Sequence, residues 1–172
     1  MDSRLPKLTF VLLALYAVVH FASAYAKLPE VVASHFDARG TPNGWQTKQA
    51  FFQVLLIVSV FVAGIGFAMP KIISALPPKL INLPNKNYWL APERVAETMA
   101  FLTNYCAWFA CALFLFNFLV FDYAIQINLR PKNPPSPARF WYSFVGFLLF
   151  VFLWTIRMLA KFLRPPDTTH RS

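Results

Sequence analysis

Acid–base and metal chemistry in this chain rest on few residues: three histidines and seven carboxylates among 172 positions. One histidine and one carboxylate stand two apart, at His35 and Asp37. Residues two apart on a strand share a face, so the pair could sense protons, couple to a ligand or supply part of a metal site. A zinc ion takes three or four ligands, and His35 with Asp37 falls short of that. The nearest further candidate is His20. No metal and no cofactor is therefore expected. The sequence also lacks Gly-x-Ser-x-Gly, His-Glu-x-x-His, a phosphate-binding glycine loop and Cys-x-x-Cys, so nothing argues for an enzyme.

His35 and Asp37 lie in a polar, turn-rich stretch, Leu28 to Lys48, between two long apolar runs. Gly40, Pro42, Asn43 and Gly44 read as two adjacent tight turns, because proline presets φ and Asn and Gly tolerate positive φ. Val31 to Phe36 is β-prone, so the stretch is expected to fold back as a short hairpin. Phe36 and Trp45 would then dip into a membrane interface or cap the helices beneath. Two readings stay open. The stretch is either an ordered aromatic lid, or a binding and sensing loop that uses His35, Phe36, Asp37, Gly40, Pro42, Gly44, Trp45 and Lys48.

The elements that position this loop follow from composition. The chain is 58% hydrophobic and only 13% charged, against about 25% charged in an ordinary soluble domain. Four apolar stretches could each cross about 30 Å of hydrocarbon. They run from about 8 to 26, 51 to 69, within 98 to 125, and 140 to 162. Breakers or charges close them at Pro29, Pro70-Lys71, Arg130-Pro131 and Arg164-Pro165. Lipid offers the backbone no hydrogen bonds, so such runs must be helices. The expected fold is an all-α membrane protein: one domain, 1–172, with a bundle of four transmembrane helices and a short ordered extracytoplasmic loop. Arg4 and Lys7 followed by an apolar run and Ala22-Ser23-Ala24 also resemble a secretory signal, but an uncleaved first span is expected.

Charge sets the orientation. The net charge of +9 would suggest nucleic acid in a soluble protein, but here the basic residues flank apolar runs, and orientation explains them better. Ten of the sixteen Lys and Arg residues fall in the N-terminus, the second loop and the tail; six fall on the other side. Both termini are thus expected in the cytoplasm and the first loop outside. At the inner end of the fourth span, Arg157, Lys161 and Arg164 form one basic stripe facing anionic headgroups. In the second loop, Pro92 suits the first turn of the third helix, with Glu93 and Glu97 at its positive end and Tyr88 and Trp89 at headgroup level. The third loop, Arg130 to Arg139, holds four prolines and reads as an extended connector.

Inside the spans the polar exceptions are His20, Asn104, Asn117 and Asp122. Asn104 and Asn117 are expected to join helices by hydrogen bonds, with His20 bonded to either. Asp122, at a helix end, is expected to be solvated. Cys106 and Cys111 are five apart, on different faces of one helix, and read as small packing residues.

The first loop closely resembles the pattern of the bacterial and archaeal membrane family called domain of unknown function 1648. That pattern is a leading Leu-Pro, a His followed by an aromatic residue, Asn or Asp, a Gly, a Pro, a Gly-Trp and a Lys. Here it falls on Leu28, Pro29, His35, Phe36, Asp37, Gly40, Pro42, Gly44, Trp45 and Lys48. Asn82 to Arg94 also resembles a loop of family members. The family includes membrane proteins that give immunity to a peptide toxin, whose later Arg-Gly-x-Arg-like segment is not found here. The resemblance implies a multipass protein of the bacterial inner membrane. The expected role is a binding or sensing module for an extracytoplasmic peptide, lipid or membrane-protein partner. The alternatives are an accessory subunit of a larger complex, or an enzyme or transporter that would need a polar cavity joining His20, Asn104 and His35.

Overall fold

A computed structural model describes residues 4–77 and 80–163. Four long helices are present: α1 (Arg4–Tyr25), α2 (Lys48–Ala75), α4 (Val95–Leu129) and α5 (Ala138–Leu163). Between α1 and α2 lie strands β1 (Val31–Phe36) and β2 (Pro42–Thr47), and a short helix α3 (Lys86–Trp89) precedes α4. All four long helices have the length and hydropathy needed to cross a membrane. Arg164, the third member of the expected basic stripe, lies outside the described residues.

α4 is the hub. At 35 residues it is about 52 Å long, and α1, α2 and α5 each pack along it. Small residues let α2 come closest: a Cβ on Gly66 would collide with the Cβ of Ala110. Asn117 donates to the Ser59 hydroxyl at 3.1 Å, a polar tie between α4 and α2. The Cys111 thiol bonds the Pro6 carbonyl at 3.2 Å, seating the start of α1 against mid-α4. Both cysteines are free. Ala17, Phe21, Leu55, Val62, Phe114 and Ile125 belong to the apolar core of these three helices.

α5 is held differently. Its rings stack on those of α4, with Phe116 on Phe147 at 4.5 Å and Tyr105 on Trp154 at 4.5 Å. The Tyr105 hydroxyl also donates to the Trp154 carbonyl at 2.7 Å. At its far end the Trp89 indole donates to the Phe162 carbonyl at 3.0 Å. The Lys161 ammonium lies 4.0 Å from the centre of the Phe101 ring, while Arg157 is exposed.

Two element boundaries differ from the sequence reading. α2 does not stop at Pro70 but continues to Ala75; a proline deletes one backbone hydrogen bond, and lipid favours helix on either side of it. α4 begins at Val95 rather than around Pro92. Pro92 falls in a turn instead, where the amides of Arg94 and Val95 both donate to the Ala91 carbonyl.

The hairpin is antiparallel, pairing Val31 with Thr47, Ala33 with Trp45, His35 with Gly44 and Phe36 with Pro42, with register shifts on both sides of His35. Thr47 ends β2 and caps α2, its hydroxyl accepting from the Ala50 amide at 3.2 Å. Only one tight turn exists, not two. Pro42, Asn43 and Gly44 belong to β2, and the reversal is made by Ala38 to Gly40. Gly40 takes a φ of +79°, the left-handed residue that closes a three-residue hairpin loop.

Candidate functional site

The hairpin folds down onto the end of the helices and is fastened there. At its base the Lys48 ammonium pairs with Glu30 at 2.8 Å, and the Lys48 amide donates to the Glu30 carbonyl at 2.9 Å. In its middle the Asn128 side chain of α4 acts as a third strand. Its Oδ1 accepts from the Ala33 amide at 2.7 Å, and its Nδ2 donates to the Ala33 carbonyl at 2.9 Å. At its tip the Trp141 indole of α5 donates to the Ala38 carbonyl at 3.2 Å. A primary amide offers one donor and one acceptor side by side, which is what the edge of a strand presents.

Sequence placed His35 and Asp37 on one face, and the structure separates them. The strand ends at Phe36, and the Asp37 carboxylate turns back on its own loop, its Oδ1 accepting from the amides of Arg39 and Thr41 at 2.8 Å each. This is the local backbone bonding Asp favours in turns. The Thr41 amide, helped by Arg39, holds the Asp37 carboxyl below its ordinary value. The His35 ring instead lies across Gly44, where an added Cβ would come within 3.0 Å of it. Gly44 is thus a contact glycine rather than a turn glycine. Trp45 is 63% exposed on the outer side of the hairpin, while Phe36 turns inward, 6.5 Å from the Tyr123 ring.

Beneath the hairpin is a cavity of about 420 Å³. Its roof is hairpin: Ser34, His35, Phe36, Asp37, Gly40 and Gln46. Its walls are Phe51 and Val54 of α2, Val120, Phe121 and Tyr123 of α4, and Phe140 and Trp141 of α5. Val54, 46% exposed, combines lining with an outward face. Seven of the residues singled out in the loop thus divide into two sets. His35, Phe36, Asp37 and Gly40 touch the cavity, and Pro42, Gly44 and Trp45 build or face away from the roof.

On the α1 side of α4 is a second polar feature. Asp122 is buried, not solvated as its position at a helix end suggests. Its Oδ1 accepts from His20 Nε2 at 2.8 Å and Gln126 Nε2 at 3.2 Å. Its Oδ2 accepts from the Arg139 guanidinium at 2.6 Å. One carboxylate therefore ties α1, α4 and α5 together. His20 bonds Asp122 rather than Asn104 or Asn117: Asn104 lies about five turns, roughly 27 Å, before Asp122 on α4, and Asn117 is bonded to Ser59 of α2. A polar cavity joining His20, Asn104 and His35 is not found among the described residues.

Asn128, Arg139, Tyr123 and Trp141 do the fastening and lining without standing out in the sequence. Arg139 reads as a loop charge, and only the pairing of α4 with α5 shows that it returns to Asp122. Asn128 follows Asp122 on the last turns of a helix, where a polar residue normally meets water. Tyr123 and Trp141 were lost among the aromatics of an aromatic-rich chain.

Residues 11–61 match the model of a family described as Domain of unknown function (DUF1648). The match spans most of α1, the whole hairpin and the first half of α2, so the resemblance read from the Leu28–Lys48 loop holds; the segment from Asn82 to Arg94 lies outside it. No curated protein and no solved structure matches the chain.

Proposed function

We propose, for a chain whose residues 11–61 match the DUF1648 family model, a membrane-embedded binding and sensing module. The hairpin is the part that reports occupancy. Apolar side chains from α2, α4 and α5 make the container, and the DUF1648 loop makes its roof. A molecule held there would press on Phe36 and on the turn at Gly40, and through them on the Trp141 and Asn128 fastenings. The carrying observation is that the roof closes over a cavity rather than over packed side chains, as a lid alone would not require. In this reading the chain sits in a bacterial inner membrane with the hairpin on the outer face, an orientation the bias of basic residues supports, and Arg157, Lys161 and Arg164 meet the inner headgroups.

Filling the cavity tests this. Small molecules retained by the full chain purified in mild detergent are extracted and compared by mass spectrometry with those retained by Val120→Phe. Wild type should carry a species that the variant has lost, while both unfold at similar temperature. His35→Ala, which removes the ring over Gly44, should retain that species with faster release. Identical extracts from wild type and Val120→Phe would leave the hairpin as a structural lid.

A further inference from the structure

Two hydroxyls in the wall and roof of the hairpin cavity are buried without a hydrogen-bond partner: Ser34 Oγ and the Tyr123 phenol. Tyr123 is only 6% exposed. Its hydroxyl sits against the turn of the hairpin, since a Cβ at Gly40 would lie 2.7 Å from it. A buried donor left unsatisfied is costly, and most native structures avoid it. Here two belong to residues that line one cavity, and either hydroxyl can donate to an oxygen brought against it.

The charges around the cavity narrow the occupant. No Lys or Arg lines it. Arg39 lies in the turn beside Asp37, and Arg139 is committed to Asp122 at 2.6 Å. The titratable lining residues other than Tyr123 are His35 and Asp37, and the Asp37 carboxylate is satisfied by the amides of Arg39 and Thr41. An anionic head would meet the Asp37 carboxylate, and the cation beside it, Arg39, already faces that carboxylate. A cationic head would find that carboxylate already engaged by its own turn and exposed to solvent. Apart from Gln46 in the roof, the remaining lining is aromatic and aliphatic.

We infer that the cavity takes a neutral, largely apolar molecule bearing a hydrogen-bond acceptor, of the ketone or ester kind, whose oxygen receives the Tyr123 hydroxyl, with the Ser34 hydroxyl as a second donor in the lining. This rests on the reading of the cavity as a binding site and adds the chemistry of its occupant. The Tyr123 phenol is the selecting group, and the apolar walls from Phe51 to Trp141 hold the rest of the molecule.

The test uses the full chain in phosphatidylcholine nanodiscs and four probes with related ten- to thirteen-carbon skeletons. They are geranylacetone (a ketone), geranic acid (an anion at neutral pH), geranylamine (a cation) and 2,6-dimethyl-2,6-octadiene (no acceptor). Binding is read by calorimetry, with empty nanodiscs as the baseline. Geranylacetone should bind best, and Tyr123→Phe should weaken it about tenfold, the effect of losing a hydrogen bond to a neutral acceptor. The diene should be insensitive to Tyr123→Phe. Ser34→Ala should act in the same direction by a smaller factor. Equal ketone affinity in wild type, Tyr123→Phe and Ser34→Ala would overturn this inference yet leave the binding reading standing. Tighter binding of the acid or the amine would overturn it too. If no probe binds above the empty nanodisc and Val120→Phe changes nothing, the binding reading itself fails.

Discussion

Asp122 and Tyr123 are neighbours on α4 and buried to nearly the same degree, 4% and 6% exposed, yet their polar atoms have opposite fates. Asp122 receives His20, Gln126 and Arg139. The Tyr123 hydroxyl has no partner at all. Successive residues on a helix point about 100° apart, so one side chain faces the junction with α1 and the other faces the cavity under the hairpin. At the junction around Asp122, where the molecule needs only to hold itself together, the buried carboxylate is fully satisfied, although the Trp154 indole elsewhere is left unpaired. An unsatisfied donor a residue away is then informative, because the same helix end had carbonyl and carboxylate oxygens at hand to accept from it.

Asp122→Ala should produce the largest effect, because one carboxylate joins three helices. Charge-assisted bonds are stronger than neutral ones, but His20 and Arg139 keep partial access to solvent, with side chains 27% and 47% exposed. The loss should therefore be about 2–3 kcal/mol rather than the full penalty of stranding a buried charge. Thermal unfolding in detergent measures it. Asp122→Asn, which keeps an acceptor for His20 and loses the charge facing Arg139, should fall between the two. An Asp122→Ala variant as stable as wild type would break the contrast at its structural end.

Gly40→Ala comes next and crosses the boundary between the two regions. A φ of +79° disfavours any residue with a Cβ, and that Cβ would stand 2.7 Å from the Tyr123 hydroxyl. The cost should be about 1–2 kcal/mol. Part of it is backbone and part is collision, and Tyr123→Phe removes only the second. The double variant should therefore recover some but not all of the loss, a coupling that a double-mutant cycle reads directly.

Acid should loosen the hairpin turn by less. The Asp37 carboxyl is held below its ordinary value chiefly by the Thr41 amide, with Arg39 assisting. A depressed folded-state value means the carboxylate stabilises the turn above about pH 4 and loses that contribution as pH falls through the folded value. Hydrogen-exchange protection of the Arg39 and Thr41 amides should drop in that range. Asp37→Ala should lower it already at neutral pH and abolish the pH dependence.

Much of this was legible in the sequence because lipid simplifies the problem. Runs of apolar residues long enough to cross a bilayer must be helices, and the four expected spans coincide with the four long helices to within a few residues at most ends. The hairpin was legible from the β-prone run before Asp37. What was not legible came from tertiary pairing. Pro42 and Gly44 look like turn residues, and only the register with Phe36 and His35 makes them strand. Asp122 looks solvated until α5 returns Arg139 to it across the proline-rich connector. The cavity has no sequence signal, since Val54, Phe121 and Phe140 are ordinary membrane-helix residues until three helices and a hairpin arrange them around a space.

Tyr123→Phe should give the smallest change in stability, within about 0.5 kcal/mol of wild type and on the stabilising side. Ordinarily the loss of a buried tyrosine hydroxyl costs a hydrogen bond of about 1 kcal/mol. This one makes none, so its removal relieves a desolvated donor, while the ring keeps its places beside Phe36 and Phe140 at 6.5 and 6.1 Å. The measurement is thermal unfolding of the purified chain with and without delipidation. A loss near 1 kcal/mol in the delipidated chain would mean the hydroxyl has a partner after all, and the contrast with Asp122 would collapse. A variant neutral when stripped but less stable than wild type when carrying its retained molecules would locate the missing partner in the occupant of the cavity.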